Sequence, residues 1–175
     1  MARIKELRSL ADESIFGHTK LKNQLTIRPV RRREHLFFNL LCFLFFRRSS
    51  SRGVETRPVG VAIALPYVLF SEVYFFRSQR YFVTIGRRVV GLFALEEEVD
   101  AVYVSALASN PFYRRMGIAS LILRYTVAVA RKRGKTAVEL TVAKQNSPAA
   151  KLYAKFGFRL KKKKTRSYIL QYQFQ

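Results

Sequence analysis

The sequence predicts a mixed α/β (α+β) domain with a strand–helix–strand crossover at its centre. Three observations carry that prediction. A strand pattern, short apolar runs bounded by turn residues and then alternation with a period of two, recurs from residue 80 to the C-terminus. An amphipathic pattern at helical spacing interrupts it. Hydrophobic residues at 49% and aromatics at 14% of 175 positions supply one sizeable core, and the length is too short for two comfortable domains.

Met1 to Gln24 is polar and weakly helical in pattern, an extension ahead of a single domain over 25–175. Leu25-Thr26-Ile27-Arg28-Pro29-Val30 alternates and reads as the first strand. From Glu34 the chain reads as a helix, apolar nearly all round, and so deeply buried or packed on a partner. Arg47 to Gly60, rich in serine, arginine and glycine, reads as a loop. Tyr81–Ile85 and Val89–Leu95 form a hairpin through Gly86-Arg87-Arg88, and Glu96 to Asp100 is an acidic turn. Ala101–Leu107 is a further strand, closed by Asn110-Pro111. A helix follows from about Gly117 to Arg133, with Ile118, Leu121, Ile122, Tyr125 and Val129 on one face and Gly134 just past its end. Val138, Leu140 and Val142 alternate in the next strand. Ser147 is the expected N-cap of the last helix, Pro148 its first residue and Gly157 its stop. Lys161 to Lys164 reads as a solvated loop, and Ser167 to Phe174 as the final strand.

Composition narrows the function classes. Lysine and arginine total 33 against 11 acids, a net charge of +22, which favours polyanionic partners and opposes polyamines and aminoglycosides. Residues 101–175 hold 16 of these cations against one acid, Glu139. Cys42 stands alone, so no disulfide forms within the chain, which fits a reducing, cytoplasmic setting. One cysteine and the distant His18 and His35 build no structural zinc site, and no metal is expected. The N-terminus lacks the apolar core of a signal peptide. Leu36–Phe46, fenced by arginines, falls well short of the roughly 20 apolar residues of a spanning helix, and Val61–Phe76 is broken by Pro66 and Glu72. Both read as buried elements, with interfacial anchoring as the alternative for the first.

The stretch Asn110-Pro111-Phe112-Tyr113-Arg114-Arg115-Met116-Gly117-Ile118-Ala119-Ser120 lies between a strand and a helix. Arginines, a glycine and small residues there leave backbone N–H groups uncovered at the positive end of a helix, suited to a pyrophosphate. A basic loop entering an ordinary amphipathic helix fits the same residues. The spacing is neither the dinucleotide fingerprint nor the P-loop.

Arg114-x-x-Gly117-x-Ala119 resembles the Gln/Arg-x-x-Gly-x-Gly/Ala signature of the GNAT acetyltransferase superfamily. Leu107-Ala108-Ser109-Asn110-Pro111 resembles its Leu-x-Val-x-Pro strand end. Asn146 to Phe158 resembles its Asn-x-x-Ala-x-x-Leu-Tyr-x-x-x-Gly-Phe block. The three pieces occur in order across residues 80–160, possession of which suggests the protein N-terminal acetyltransferase branch. The resemblance implies a mixed, mostly antiparallel sheet flanked by helices, in which two parallel strands splay apart to admit acetyl-CoA. Backbone groups of Leu107, Ala108 and Ser109 would pair with the pantetheine arm. Arg114 would contact a phosphate, and the N–H groups of Arg115, Met116, Gly117, Ile118, Ala119 and Ser120 would hold the pyrophosphate. Asn146 would hydrogen-bond the cofactor arm, and Tyr153 would protonate the departing thiolate. A tyrosine ring packed in the core is the alternative account of Tyr153, and its register with Asn146 and Gly157 favours the acid role.

The family's glutamate on the strand before the asparagine is replaced here by Thr141, which cannot act as a base. Glu139 lies on the same strand face and is a candidate, with an exposed structural carboxylate as the alternative. Glu96, Glu97 and Glu98 are also available, so the base stays unassigned. The implied activity is acetyl transfer to a primary amine, that of a protein or peptide, with an acidic or ribosomal partner suggested by the charge. A basic RNA- or ribosome-binding module with weak or no activity is the second expectation, and peripheral membrane contact a third.

Overall fold

The computed structural model describes residues 24–47, 72–73 and 75–174. The extension before Gln24, the loop read beyond Arg47 and most of the Val61–Phe76 run lie outside the described residues. The elements are β1 (Leu25–Pro29), a 3-10 turn (Arg32–Glu34), α1 (His35–Arg47), β2 (Gln79–Ile85), β3 (Arg88–Glu97) and β4 (Ala101–Ser109). A second 3-10 turn (Pro111–Tyr113), α2 (Ile118–Lys132), β5 (Ala137–Ala143), α3 (Ser147–Phe156), β6 (Arg159–Lys163) and β7 (Ser167–Gln173) follow. Among the described residues one seven-stranded sheet runs β1-β2-β3-β4-β5-β7-β6. Its neighbours pair antiparallel except β4 and β5, which α2 joins as a parallel crossover. The mixed fold read from the sequence is the fold observed.

Two cores flank the sheet. On one face α2 buries Ile118, Leu121, Ile122, Tyr125 and Val129 against Val102, Val104, Val138, Leu140 and Val142. Tyr81 stacks on Phe93 at 4.8 Å, and Tyr125 meets both rings edge-on at 5.8 and 5.6 Å. Such aromatic contacts add about 0.5–1.5 kcal/mol each beyond the area they bury. On the other face Phe38, Cys42 and Phe45 of α1 pack on Phe82, Leu92, Ala94, Ala106 and Ala108.

The side chains of β4 change face midway. Val102 and Val104 belong to the α2 side, whereas Ala106 and Ala108 belong to the α1 side. The register explains this: Ala94 pairs with Ala106 but Leu95 with Val104, so Ser105 is an extra residue, a β-bulge. The alanines beyond it are small enough to let α1 lie close. Gly91 on β3 serves a similar purpose for α2. A Cβ there would lie 2.8 Å from the Ile118 methyl Cγ2, inside van der Waals contact, so only glycine lets the start of α2 press onto the sheet.

Four expectations are corrected. Asn146, not Ser147, caps α3, and Pro148 is its second residue, still in the first turn where no N–H is needed. Lys161–Lys163 are strand, not loop: β6 pairs with β7, and its exposed lysines sit on an open sheet edge where charge discourages further strand pairing. Glu96 and Glu97 extend β3, leaving 98–100 as the turn, which Lys135 fixes by donating to the Glu98 and Val99 carbonyls at 2.9 and 3.2 Å. Finally, α1 is two-faced: Leu36, Phe37, Leu40 and Leu44 are exposed opposite its buried Phe38 and Cys42.

Two stability tests follow. Gly91→Ala should destabilise the fold by about 1–3 kcal/mol through overpacking, a fall in Tm of roughly 2–10 °C in a thermal scan. The second concerns Glu34, where β1 turns into α1. It accepts both Arg28 guanidinium nitrogens at 2.8 Å and the Arg31 N–H at 2.9 Å. The Arg28 hydrogen bonds, first of all, hold its carboxyl at about 2. A depressed carboxyl stabilises the fold above the unfolded pKa and loses that contribution as pH falls through the folded one. Glu34→Gln should therefore cost about 0.5–1 kcal/mol at neutral pH, the pair being partly solvated. The gap to wild type should close between about pH 4 and pH 2 in denaturant titrations.

Candidate active site

The β4–β5 ladder has four rungs, from Ala101–Ala137 to Val104–Leu140. Beyond them β4 continues to Ser109 and β5 to Ala143 without pairing to each other. Each stays paired on its outer side, to β3 and β7. A wedge therefore opens at the C-terminal ends of two parallel strands, the usual place for a ligand in such sheets. Leu107, Ala108 and Ser109 line its β4 edge.

The chain leaves β4 through a tightly bonded corner. The Asn110 N–H donates to the Val90 carbonyl at 2.8 Å, its side-chain amide donates to the Val89 carbonyl at 3.4 Å, and its Oδ1 accepts the Phe112 N–H at 3.1 Å. Arg115 and Gly117 then take left-handed backbone angles, φ 64° and 84°. These two bends carry the exposed Arg114 and Arg115 past the end of β4 into α2. Gly117 stands at the N-cap, and no side chain caps the helix. The N–H groups of Ile118, Ala119 and Ser120 so lack intrahelical partners at the positive end of the dipole. Arg114 to Ser120, with Met116 half-buried among them, and Leu107 to Ser109 are thus brought to one end of the sheet.

Asn146 and Tyr153 come from the β5 side. The Asn146 Oδ1 accepts the Ala149 N–H at 3.3 Å, which caps α3 and leaves the amide NH₂ for another partner. Tyr153 is buried, its ring 5.8 Å from that of Phe158. Burial pushes its hydroxyl up to about 12, so it keeps its proton throughout the physiological range. Among the described residues this hydroxyl has no hydrogen-bond partner. The ring is a core element and the hydroxyl a protonated, unengaged donor, so the two accounts of Tyr153 are compatible.

The carboxylates divide sharply. Glu139 is buried rather than exposed; it is ion-paired to Lys161 and accepts the Gln171 amide at 2.9 Å. Both contacts fall on Oε1, and they tie the carboxylate into the β5–β7–β6 side of the sheet. Glu97 faces Arg133 at 3.6 Å and Lys135 at 3.4 Å. Glu96 instead accepts the Ser78 hydroxyl at 2.6 Å, and Ser78 Oγ lies 3.2 Å from Ser105 Oγ. Thr141, where a family glutamate would stand, accepts the Tyr103 hydroxyl at 2.9 Å. Ser78, Tyr103 and Ser105 escape a reading of the sequence because three-dimensional register, not spacing, gathers them. Among the described residues no three His, Cys, Asp or Glu side chains form a metal-binding group, and no helix is long and apolar enough to cross a membrane.

Solved structures share this architecture. PaiA N-acetyltransferase from Thermoplasma acidophilum, in complex with coenzyme A, superposes with a TM-score of 0.69 at 15% identity, over 86% of this chain and 99% of that one. A GNAT family acetyltransferase from Elizabethkingia anophelis with acetyl-CoA bound gives 0.61 at 13% identity, over 87% and 99%. The ribosomal-protein-S18-alanine N-acetyltransferase of Escherichia coli gives 0.59 at 17% identity, over 84% and 90%. At these identities the likeness is one of fold. No curated protein sequence matches the chain. The profile of the Acetyltransferase (GNAT) family, however, matches residues 51–158, more than half of the chain and all of the wedge, its corner and the start of α3. The chain belongs to the GNAT acetyltransferase family.

Proposed function

We propose that the protein is an N-acetyltransferase that moves the acetyl group of acetyl-CoA to a primary amine, the N-terminus or a lysine of a protein or peptide. The observation that carries this is the β4–β5 wedge opening beside the uncapped, arginine-flanked start of α2. Unpaired strand backbone suits the amides of a pantetheine arm, and free helical N–H groups suit a pyrophosphate. These features fit acetyl-CoA on the residues expected to hold it. The T. acidophilum and E. anophelis proteins, which carry coenzyme A and acetyl-CoA on the same fold, support the same donor. The E. coli protein, an acetyltransferase of a ribosomal protein, supports a protein acceptor.

In this reading backbone groups of Leu107, Ala108 and Ser109 bind the arm and orient the thioester. An N–H aimed at the carbonyl oxygen stabilises the negative charge that develops there. Arg115 to Ser120 anchor the pyrophosphate, Arg114 adds a phosphate contact, and the free Asn146 amide donates to the arm. The acceptor amine attacks the carbonyl carbon, the C–S bond breaks, and Tyr153 gives its proton to the sulfur. A hydroxyl that burial pushes up to about 12 stays protonated through the physiological range and so has a proton to give. Holding amine and thioester together supplies the rest.

A second reading is a basic RNA- or ribosome-binding module of this fold with weak or no activity. The exposure of every residue of β6, with Lys161, Lys162 and Lys163 along it, favours it. The two are separable. If acetyl-CoA is a substrate, it raises Tm by mass action, and Tyr153→Phe keeps that rise while lowering kcat about 10²–10⁴-fold. No rise at millimolar acetyl-CoA, together with RNA affinity that falls steeply with salt, would favour the second reading.

A further inference from the structure

A row of polar side chains crosses the α1 face of the sheet in direct register: Glu96 on β3, Tyr103 on β4, Glu139 on β5 and Gln171 on β7. Tyr103 is engaged by Thr141, and Glu139 by Lys161 and Gln171. Glu96 is placed differently. Among the described residues no cation pairs with it, and the hydroxyl of Ser78 donates to it. Ser78 in turn contacts Ser105, the bulge residue and the first position of β4 past the last rung shared with β5. An unbroken chain of hydrogen-bonding oxygens thus runs from a carboxylate to the apex of the wedge. It reaches that apex from the α1 face, whereas Tyr153 reaches the core from the α2 face.

We propose that Glu96, acting through the hydroxyls of Ser78 and Ser105, is the proton acceptor that readies the amine for attack. The proposal rests on the acetyl-transfer reading above and supplies the base that Thr141 cannot be. The incoming ammonium gives one proton to Ser105 Oγ as Ser105 passes its own to Ser78 and Ser78 passes its own to Glu96 Oε1. The freed lone pair forms the C–N bond, and the C–S bond breaks. The sulfur takes the Tyr153 proton, the second nitrogen proton goes to solvent, from which Tyr153 is reprotonated, and Glu96 then releases the relayed proton to solvent, which resets the relay. The net change is one amide, one thiol and one proton released. Ser105 touches the amine; Glu96 and Ser78 act through it. Charged groups on this face include Arg80 on β2, opposite Ala94, which pairs with Glu72 beside His35; Arg28 on β1 with Glu34; and Lys161 with Glu139, beyond Tyr103. Glu98 acts on Lys161 as well, and Glu97 lies on the opposite face with Arg133 and Lys135.

The test compares the purified full chain with Glu96→Gln, Ser78→Ala and Ser78→Thr. The substrates are acetyl-CoA and peptides bearing a free α-amine or a lysine, with small amines alongside. Wild-type kcat should be nearly flat from about pH 6 to 8. Glu96→Gln and Ser78→Ala should lower it about 10²-fold or more at pH 7 and make it climb about tenfold per pH unit, as hydroxide replaces the relay. Ser78→Thr should restore most of the rate and the flat profile. The acetyl-CoA-induced rise in Tm should be the same in all four proteins, which separates loss of the relay from loss of the fold or of donor binding. An active wild type with Glu96→Gln within twofold of it, on the same pH profile, would overturn the relay alone. A wild type inert toward every amine would overturn the acetyl-transfer reading, and the relay with it.

Discussion

β4 holds one residue more than its antiparallel neighbour can pair, and Ser105 is that residue. A bulge of this kind bends the strand and raises its local twist. On the β5 side the consequence is that parallel pairing ends at Val104 and Leu140, while both strands run on. The bulge also turns Ala106 and Ala108 toward α1, where Val102 and Val104 had faced α2. One inserted serine thus opens the wedge, admits α1 to the sheet and places a hydroxyl at the apex. Gly91 completes the arrangement from β3, since its missing Cβ lets Ile118 bring the start of α2 down beside the opening.

The sequence made the architecture legible wherever periodicity and capping agree. Alternation marked β1, β5 and β7, and the Ile118-to-Val129 spacing marked α2; β2 to β4 were marked instead by short apolar runs bounded by turn residues, because they bury side chains in both cores. The basic loop and Gly117 were legible for a local reason, a left-handed turn before an uncapped helix. The failures share a different cause. Lys161–Lys163 were misread as loop because an edge strand exposed along its whole length has no buried face to produce alternation. Asn146 and Ser147 are both good caps, and only the backbone shows which one bonds Ala149. Glu139 looked exposed until β6 and β7, distant in sequence, brought Lys161 and Gln171 to it. Ser105 sits in an unremarkable strand sequence, and its being surplus is a fact of pairing between strands.

The net charge of +22 also resolves into parts. Arg114 and Arg115 lie exposed just before the start of α2, where the proposed reading puts the cofactor's phosphates. Arg133 and Lys135 answer Glu97, Arg28 answers Glu34, and Arg80 answers Glu72, so these cations hold the fold together. Lys161 neutralises Glu139. The other lysines of β6 remain on an exposed strand at the sheet edge. Charge of that kind steers anionic partners over long range and does not shape the fold.

The central claim is that the unpaired edge of β4 and the open start of α2 together receive acetyl-CoA. Amide hydrogen exchange tests it most directly, because it reads the backbone N–H groups themselves. On adding acetyl-CoA, amides within 105–109 and 115–120 should exchange several-fold more slowly, while those of β1 and the β6–β7 hairpin stay unchanged. Protection spread evenly over the chain, or confined to segments away from the wedge, would contradict the account.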